Sequence, residues 1–310
     1  MVTRKAPRKG SLQYWPRKRI NKFLPNVNWD AIDSSSKILK GFIAYKAGMM
    51  SALVKDNTAD SMTKGKQIAF PVTILECPSM KIFSVRFYKN TKVMKEVLAE
   101  NLDKELKRKL KLPKTNKKFE EVKEEYDDLK ILVYSVVKQT NIKKTPDLVE
   151  LGLLGSKEDK LSYVKENLGK EIKVSDVFEK GQLVDFRGVT TGKGLCGPLK
   201  RFGLKLKRNK SEKGRRRPGS LGPWHPARVT FRVPMAGQMG LFTRAIYNNK
   251  IVDINNKQIK NLKNYGDTKC DYLVVRGSVM GPSKRQLVVT NPLRQTKKQS
   301  KKNFDLIELR

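Results

Sequence analysis

Apolar positions in this chain come in short alternating bursts separated by polar turns. GFIAYKAGMM, QIAFPVTILEC and KIFSVRFY are rich in β-branched and aromatic residues and predict strands over about 40–47, 67–77 and 81–88. KILVYSVVKQT (130–140) and QLVDFRGV (182–189) have the same texture. Towards the C-terminus, ARVTFRV, GLFTRAIYN, KIVDIN, DYLVVRGSV and RQLVVT alternate apolar and polar residues and predict further strands. Between these groups the period changes. Leu98, Leu102, Leu106 and Leu110 recur every four residues, Pro113 stops that run, and Phe119, Val122, Tyr126 and Leu129 follow at helical spacing. This predicts a helical hairpin over 92–129. Ser156 and Asp159 form a capping-box pattern ahead of an apolar face at Leu161, Val164 and Leu168. The expected fold is mainly β. Residues 38–91 and 177–293 form a β-core, and 92–176 form an α+β insertion.

The pattern breaks down between Lys205 and Leu221, where apolar residues are too sparse to bury anything. Between Arg187 and Arg232 there are fourteen Lys/Arg and a single acid, Glu212. Such a stretch repels itself and lacks the apolar contacts that offset ordering entropy. It needs a polyanion to settle against, unless it is a solvated linker. The tip Gly222-Pro223-Trp224-His225-Pro226-Ala227 argues against a linker, because a solvated linker has no use for a stiff aromatic turn. Two further basic segments flank the core, an N-terminal extension (1–37) and a C-terminal tail (294–310). Residues 1–22 hold eight Lys/Arg and no acid, whereas ten of the chain's thirty acids lie between Glu96 and Asp128.

The 310 residues carry a formal net charge of +37 with a hydrophobic fraction of 38%, enough for a core. That charge favours anionic partners, nucleic acid first and a membrane surface second. No run of 18 apolar residues exists to span a bilayer. The basic N-terminus has no apolar stretch after it of the kind a signal peptide carries, so a cytoplasmic protein is expected. Cys77, Cys196 and Cys270 lack any Cys-x-x-Cys spacing, and His225 is the only histidine. Neither a disulfide framework nor a metal site follows, and no catalytic residue is assigned. Gly192-Lys193-Gly194-Leu195-Cys196-Gly197 matches a dinucleotide pattern by the letter, but Pro198 and the basic run after it do not continue as an amphipathic helix. No cofactor and no small-molecule substrate are expected.

Cations neutralise phosphates, and aromatic faces stack on bases or ribose. On that basis the candidate RNA contacts in the N-terminal segment are Arg8, Lys9, Tyr14, Trp15, Arg17, Lys18 and Arg19. At the root of the loop they are Lys193, Lys200 and Arg201, where glycine lets backbone amides approach phosphates. Further out they are Lys205, Lys207, Arg208 and the run Arg215-Arg216-Arg217, whose guanidinium groups pair bidentately with phosphate. At the tip they are Trp224, His225 and Arg228.

The same residues carry a family resemblance. VSDVFEKGQLVDFRGVTTGKGLCGPLKRFG, then GRRRPGSLGPWHPARV, then AGQMG, resemble the universal large-subunit ribosomal protein L-three family. PRKGSLQYWPRKR, YKAGM and PVTILECPSM are similar to its archaeal and eukaryotic form, and the modest length points to the archaeal one. Leu195 and Cys196 depart from the bulky residue and glutamine usual after Gly-Lys-Gly. Glu212 falls where eukaryotic members carry a histidine. The resemblance implies a translation-protein-type β-barrel with an α+β insertion. It implies a 187–232 loop that enters large-subunit rRNA with Trp224 near the peptidyl transferase centre, an N-terminal arm also lying in rRNA, and a role in early subunit assembly. Neighbouring large-subunit proteins are the other expected partners. Two rival classes, an RNA-modifying enzyme and a duplex-DNA binder, lack a catalytic constellation and a groove-reading helix respectively.

Overall fold

The structure, a computed structural model, describes residues 10–11, 14–32, 37–113, 125–140 and 142–310. The chain divides into two compact units. One comprises Phe23–Gly188 and Arg244–Arg310, and the other comprises Met1–Lys22 and Val189–Thr243.

The larger unit is built on strands. Its main sheet contains β1 (Gly41–Asp56) and β2 (Gln67–Glu76). A second sheet contains β3 (Met80–Lys89), β4 (Lys92–Leu98), β5 (Asp128–Ser135) and β6 (Leu148–Gly152) in the order β4-β3-β5-β6. β7 (Leu183–Val189) returns to the main sheet and leads into the smaller unit, which holds the short strands β8 (Leu195–Cys196) and β9 (Gly237–Gln238). β10 (Thr243–Asn255), β11 (Tyr272–Arg276), β12 (Gln286–Thr290) and β13 (Phe304–Leu309) complete the main sheet. Its order is β12-β7-β10-β11-β2-β1-β13, and β12 pairs with β1 as well as with β7.

The long strand β1 is the hub. Its first half pairs with β12 over Gly41–Tyr45, and its second half pairs with β13 over Ala52–Asp56. The register with β2 shifts between Lys46 and Gly48, where β1 changes partners, as a bulge allows. Residues Gly41–Ala47 are all buried, whereas the second half alternates, which fits a strand covered on both faces at one end only. Trp29 packs over Gly41 and Gly152, and a Cβ at either glycine would lie within 3 Å of its ring or side chain. In the same core, the Tyr45 hydroxyl lies 2.7 Å from Ser135 Oγ and donates to Asp147 Oδ2 at 2.6 Å. Burial and the Asp147 charge push this phenol well above its ordinary pKa, so it remains a donor.

The predicted strands at 40–47, 67–77, 81–88 and 182–189 are present, as β1, β2, β3 and β7; the one predicted over 130–140 is present only as far as Ser135, as β5, and Val137–Gln139 form a 3-10 turn. The Ser156–Asp159 capping box opens the helix α1 (Lys157–Asn167) as read, with Val164 buried. The hairpin over 92–129 differs. Residues 92–98 are β4, and Lys104–Arg108 form a single 3-10 turn. Leu106 is fully buried there against Phe83 and Tyr134, so the leucine spacing serves one packed turn and not a helix face. Tertiary packing overrides the period. Phe119 and Val122 lie outside the described residues, and Leu129 is in β5. The predicted strand ARVTFRV is absent; residues 227–233 are irregular. β13, in the stretch read as a basic tail, is a strand the sequence reading did not foresee.

Within the larger unit, Asp185 on β7 ties that strand to its neighbours. This fully buried carboxylate accepts from Asn248 N on β10 at 2.8 Å and from Leu293 N at 2.8 Å. Hydrogen bonds to a charged group are the strong kind. Asp185→Ala is therefore expected to lower unfolding free energy by about 2–4 kcal/mol, through two amides left without their acceptor. Urea titration measures this, and an unchanged midpoint would show that water replaces the carboxylate.

Candidate nucleic-acid interface

The smaller unit consists of a short ribbon and a long projection. In the ribbon, Lys193 N donates to Met239 O at 2.9 Å, and Met239 N donates to Gly194 O at 2.9 Å. Thr190 N donates to Phe242 O at 3.0 Å and Ile20 N to Leu241 O at 3.1 Å, so the N-terminal segment is stitched to the same base. Gly240, at φ +77°, sits where a Cβ would lie 2.0 Å from Thr191 O. Only glycine fits that crossing. After β8 comes one helical turn, α2 (Pro198–Phe202), opened by Pro198 and closed by left-handed Gly203, whose N–H donates to Leu199 O at 2.7 Å. A helix does follow the Gly-rich stretch, but it is five residues long.

Beyond this base the chain is open. From Gly203 to Met239 no residue is buried. Its backbone hydrogen bonds are local, such as Lys207 N to Arg215 O, Ser211 N to Arg208 O and Arg228 N to Pro226 O. Trp224 is 88% exposed, against 3% for Trp29 in the core. Among the described residues, no Lys or Arg of 187–232 makes an ion pair. The acids are used elsewhere. In the four-stranded sheet Arg86 meets Glu96 at 2.8 Å and Glu150 at 2.9 Å, and Lys160 meets Asp128 at 2.6 Å. The positive charge of the projection is thus uncompensated, while that of the sheet is largely balanced.

The predicted contact residues fall into three groups. Arg8 and Lys9 lie outside the described residues. Tyr14, Lys18, Arg19, Lys193, Lys200, Lys205, Lys207, Arg208, Arg215, Arg216, Arg217, Trp224, His225 and Arg228 are exposed. Trp15, Arg17 and Arg201 are half-buried and have internal partners. The Trp15 ring packs against Phe202 and Phe231, with centroids at 6.4 and 5.7 Å. Arg17 lies over Trp15 and Phe202, at 4.9 and 4.2 Å from their centroids. Arg201 donates from Nε to Gln238 O at 3.0 Å and from a terminal nitrogen to Met235 O at 3.1 Å, clamping α2 to β9.

Phe202 and Phe231 were not among the predicted site residues, although both lie in the basic stretch as aromatics with little apolar company. Phe231 explains the missing strand. Its ring is spent on Trp15, and the segment is bounded by Pro226 and Pro234 with no partner strand to pair with.

An open, uncompensated cationic stretch with an exposed aromatic tip has the chemistry of a nucleic-acid scaffold protein. The family model described as Ribosomal protein L3 matches residues 1–309. The chain is 40% identical to Large ribosomal subunit protein uL3 of Methanocaldococcus jannaschii over 308 residues, covering 93% of this chain and 91% of that one. It is 40% identical to the protein of the same name from Methanobrevibacter smithii over 320 residues (96% and 95%), and 39% identical to that of Methanococcus vannielii over 313 residues (94% and 93%). The chain belongs to the ribosomal protein L3 family.

Because Trp224 touches no interior, Trp224→Ala is expected to change stability by less than about 0.5 kcal/mol. Gly240→Ala, which forces a Cβ onto a backbone oxygen, is expected to cost about 2 kcal/mol or more. Chemical denaturation of both variants, followed by circular dichroism, checks the contrast; a large loss with Trp224→Ala would mean the tip is packed.

Proposed function

We propose that this protein is a structural, non-catalytic constituent of the large ribosomal subunit that binds large-subunit rRNA through its projection and N-terminal segment. The carrying observation is the exposed cationic run without ion-pair partners, tipped by an exposed indole. Lys and Arg release counterions from phosphates, and Trp224 with His225 offers a stacking face. Arg17, Trp15 and Arg201 act by shaping the root of the projection, and the exposed residues of the predicted set make the contacts. The role extends to early subunit assembly, to the surroundings of the peptidyl transferase centre and to contacts with neighbouring ribosomal proteins.

In this reading the main sheet is a translation-protein-type β-barrel, for which the pairing of β12 with both β7 and β1 is the support. The β-core of this reading takes in 38–91 and 177–293, with 92–176 as an insertion, although β3 pairs in the second sheet and β13, beyond residue 293, adds to the main one. The site of action is the cytoplasmic ribosome; among the described residues no helix is long and apolar enough to cross a membrane.

Neutralising Arg215, Arg216 and Arg217 together with glutamine is expected to reduce the salt slope of rRNA binding by about 2–3. Trp224→Ala is expected to weaken binding by about 1–3 kcal/mol, the worth of one stacked base. Filter binding of a large-subunit rRNA transcript across a salt series measures both. Unchanged slope and affinity in both variants would overturn the reading.

A further inference from the structure

Outside the projection, a second concentration of positive charge is built into the larger unit. α3 (Lys297–Ser300) and the residues after it bring Lys298, Lys301 and Lys302 to the rim of a cavity of about 460 Å³, with Arg276 at the end of β11 on another wall. None of these four cations makes an ion pair among the described residues. They repel one another. The Lys302 ammonium is held below its ordinary pKa by burial and then by Arg276 and Lys298, with Asp56 offsetting only part of this.

The turn that follows β1 also lines the cavity, and hydrogen bonds tie it to the segment before β13. Asn57 N donates to Asn303 O at 3.0 Å, and Asn303 N donates to Thr58 Oγ1 at 3.0 Å. Two carboxylates, Asp56 and Asp60, also line the cavity. Asp56 is turned inward, accepting from Thr58 N at 3.0 Å, Ser61 Oγ at 2.7 Å and Thr63 Oγ1 at 2.6 Å. Burial alone would raise its pKa, but these donors outweigh burial and hold it far below the usual carboxylate range, so its charge is committed to its own turn. Four cations therefore face one committed and one free carboxylate.

The guanidinium of Arg276 is oriented by two rings. Its carbon lies 4.9 Å from the centroid of Phe70 and 4.9 Å from that of Phe304. A guanidinium stacked on rings keeps its N–H edge free for a planar, bidentate acceptor. Met62, 98% exposed, stands on the lining beside the apolar floor of Ile68 and Phe304. An apolar edge beside a cationic seat suits the sugar and base that accompany a phosphate.

We propose that this cavity seats a backbone phosphate of RNA, an anchoring point on the sheet-built body separate from the projection. The proposal rests on the rRNA-binding reading and adds a defined seat to it. An acidic peptide is the disfavoured occupant, because a run of acidic side chains brings no sugar or base to the apolar edge of Met62, Ile68 and Phe304.

The test uses the full chain with Lys298→Gln, Lys301→Gln and Lys302→Gln combined, and a control of equal charge change, Lys257→Gln, Lys260→Gln and Lys263→Gln, at lysines exposed on the same unit. The cavity variant is expected to reduce the salt slope for a large-subunit rRNA transcript by about 1–2, and the control by clearly less. Its urea midpoint without RNA is expected to be equal to or higher than the parent's, since mutual repulsion is relieved. Polyglutamate is expected to compete for the parent more weakly than RNA of equal charge. Equal slopes in the cavity and control variants, a lowered midpoint, or equally effective polyglutamate would each overturn the phosphate seat. If the Arg215–Arg217 variant keeps its effect on rRNA binding while the cavity variant has none, the seat alone fails. If neither has an effect, the rRNA reading fails with it.

Discussion

Uncompensated positive charge is the constraint on which the rest of this structure depends. A run of fourteen Lys/Arg with one acid cannot collapse, because each turn of chain brings like charges together. The protein answers by separating two tasks. The larger unit places its acids among its cations and buries a large apolar core with two smaller clusters beside it, so it folds on its own terms. The projection is left with local turns and no buried residue. Its order has to come from whatever neutralises it, which in the proposed role is rRNA.

That division works only if the projection starts from a fixed place, and the root is where specific chemistry is concentrated. Gly240 permits a backbone crossing that a Cβ would block, and Arg201 uses its guanidinium on two carbonyls of its own chain. The Trp15–Phe202–Phe231 group, covered by Arg17, ties the N-terminal segment to the same root. Two basic segments far apart in sequence therefore share one compact unit. Cations here have two kinds of work: Arg17 and Arg201 hold the root, and those of the projection beyond Gly203 make no ion pair among the described residues, although Arg215 Nε donates to Lys207 O and Arg232 lies over Phe231.

Much of this was legible from residues alone, and the misses have physical causes. Alternation located every strand of the main sheet but β13, because those strands have one or both faces in the core, and the Ser156–Asp159 box located α1 because capping is a local interaction. The leucines at 98–110 misled because period reports only which residues want burial. β4 and one packed turn bury Leu106 and part of Leu98 and Leu102, and they leave Leu110 exposed. ARVTFRV misled because alternation needs a partner strand, and sequence does not say whether one is near. The exposure of Trp224 was readable from its flanking Gly and Pro residues. The internal use of Trp15 and Arg201 was not, since a cation or indole in a basic stretch looks the same whether it meets phosphate or its own chain. The cavity formed by Arg276, Lys298, Lys301 and Lys302 depends on a tertiary meeting of β11 with the segment before β13, which no local pattern announces.

The central claim is that the projection has no fold of its own and gains one against RNA. Amide hydrogen exchange over residues 204–234, in the free protein and in its complex with large-subunit rRNA, tests this most directly. The account predicts unprotected amides in the free protein and strong protection in the complex, with the main sheet protected in both. Protection of the projection in the free protein, or its absence in the complex, would contradict it.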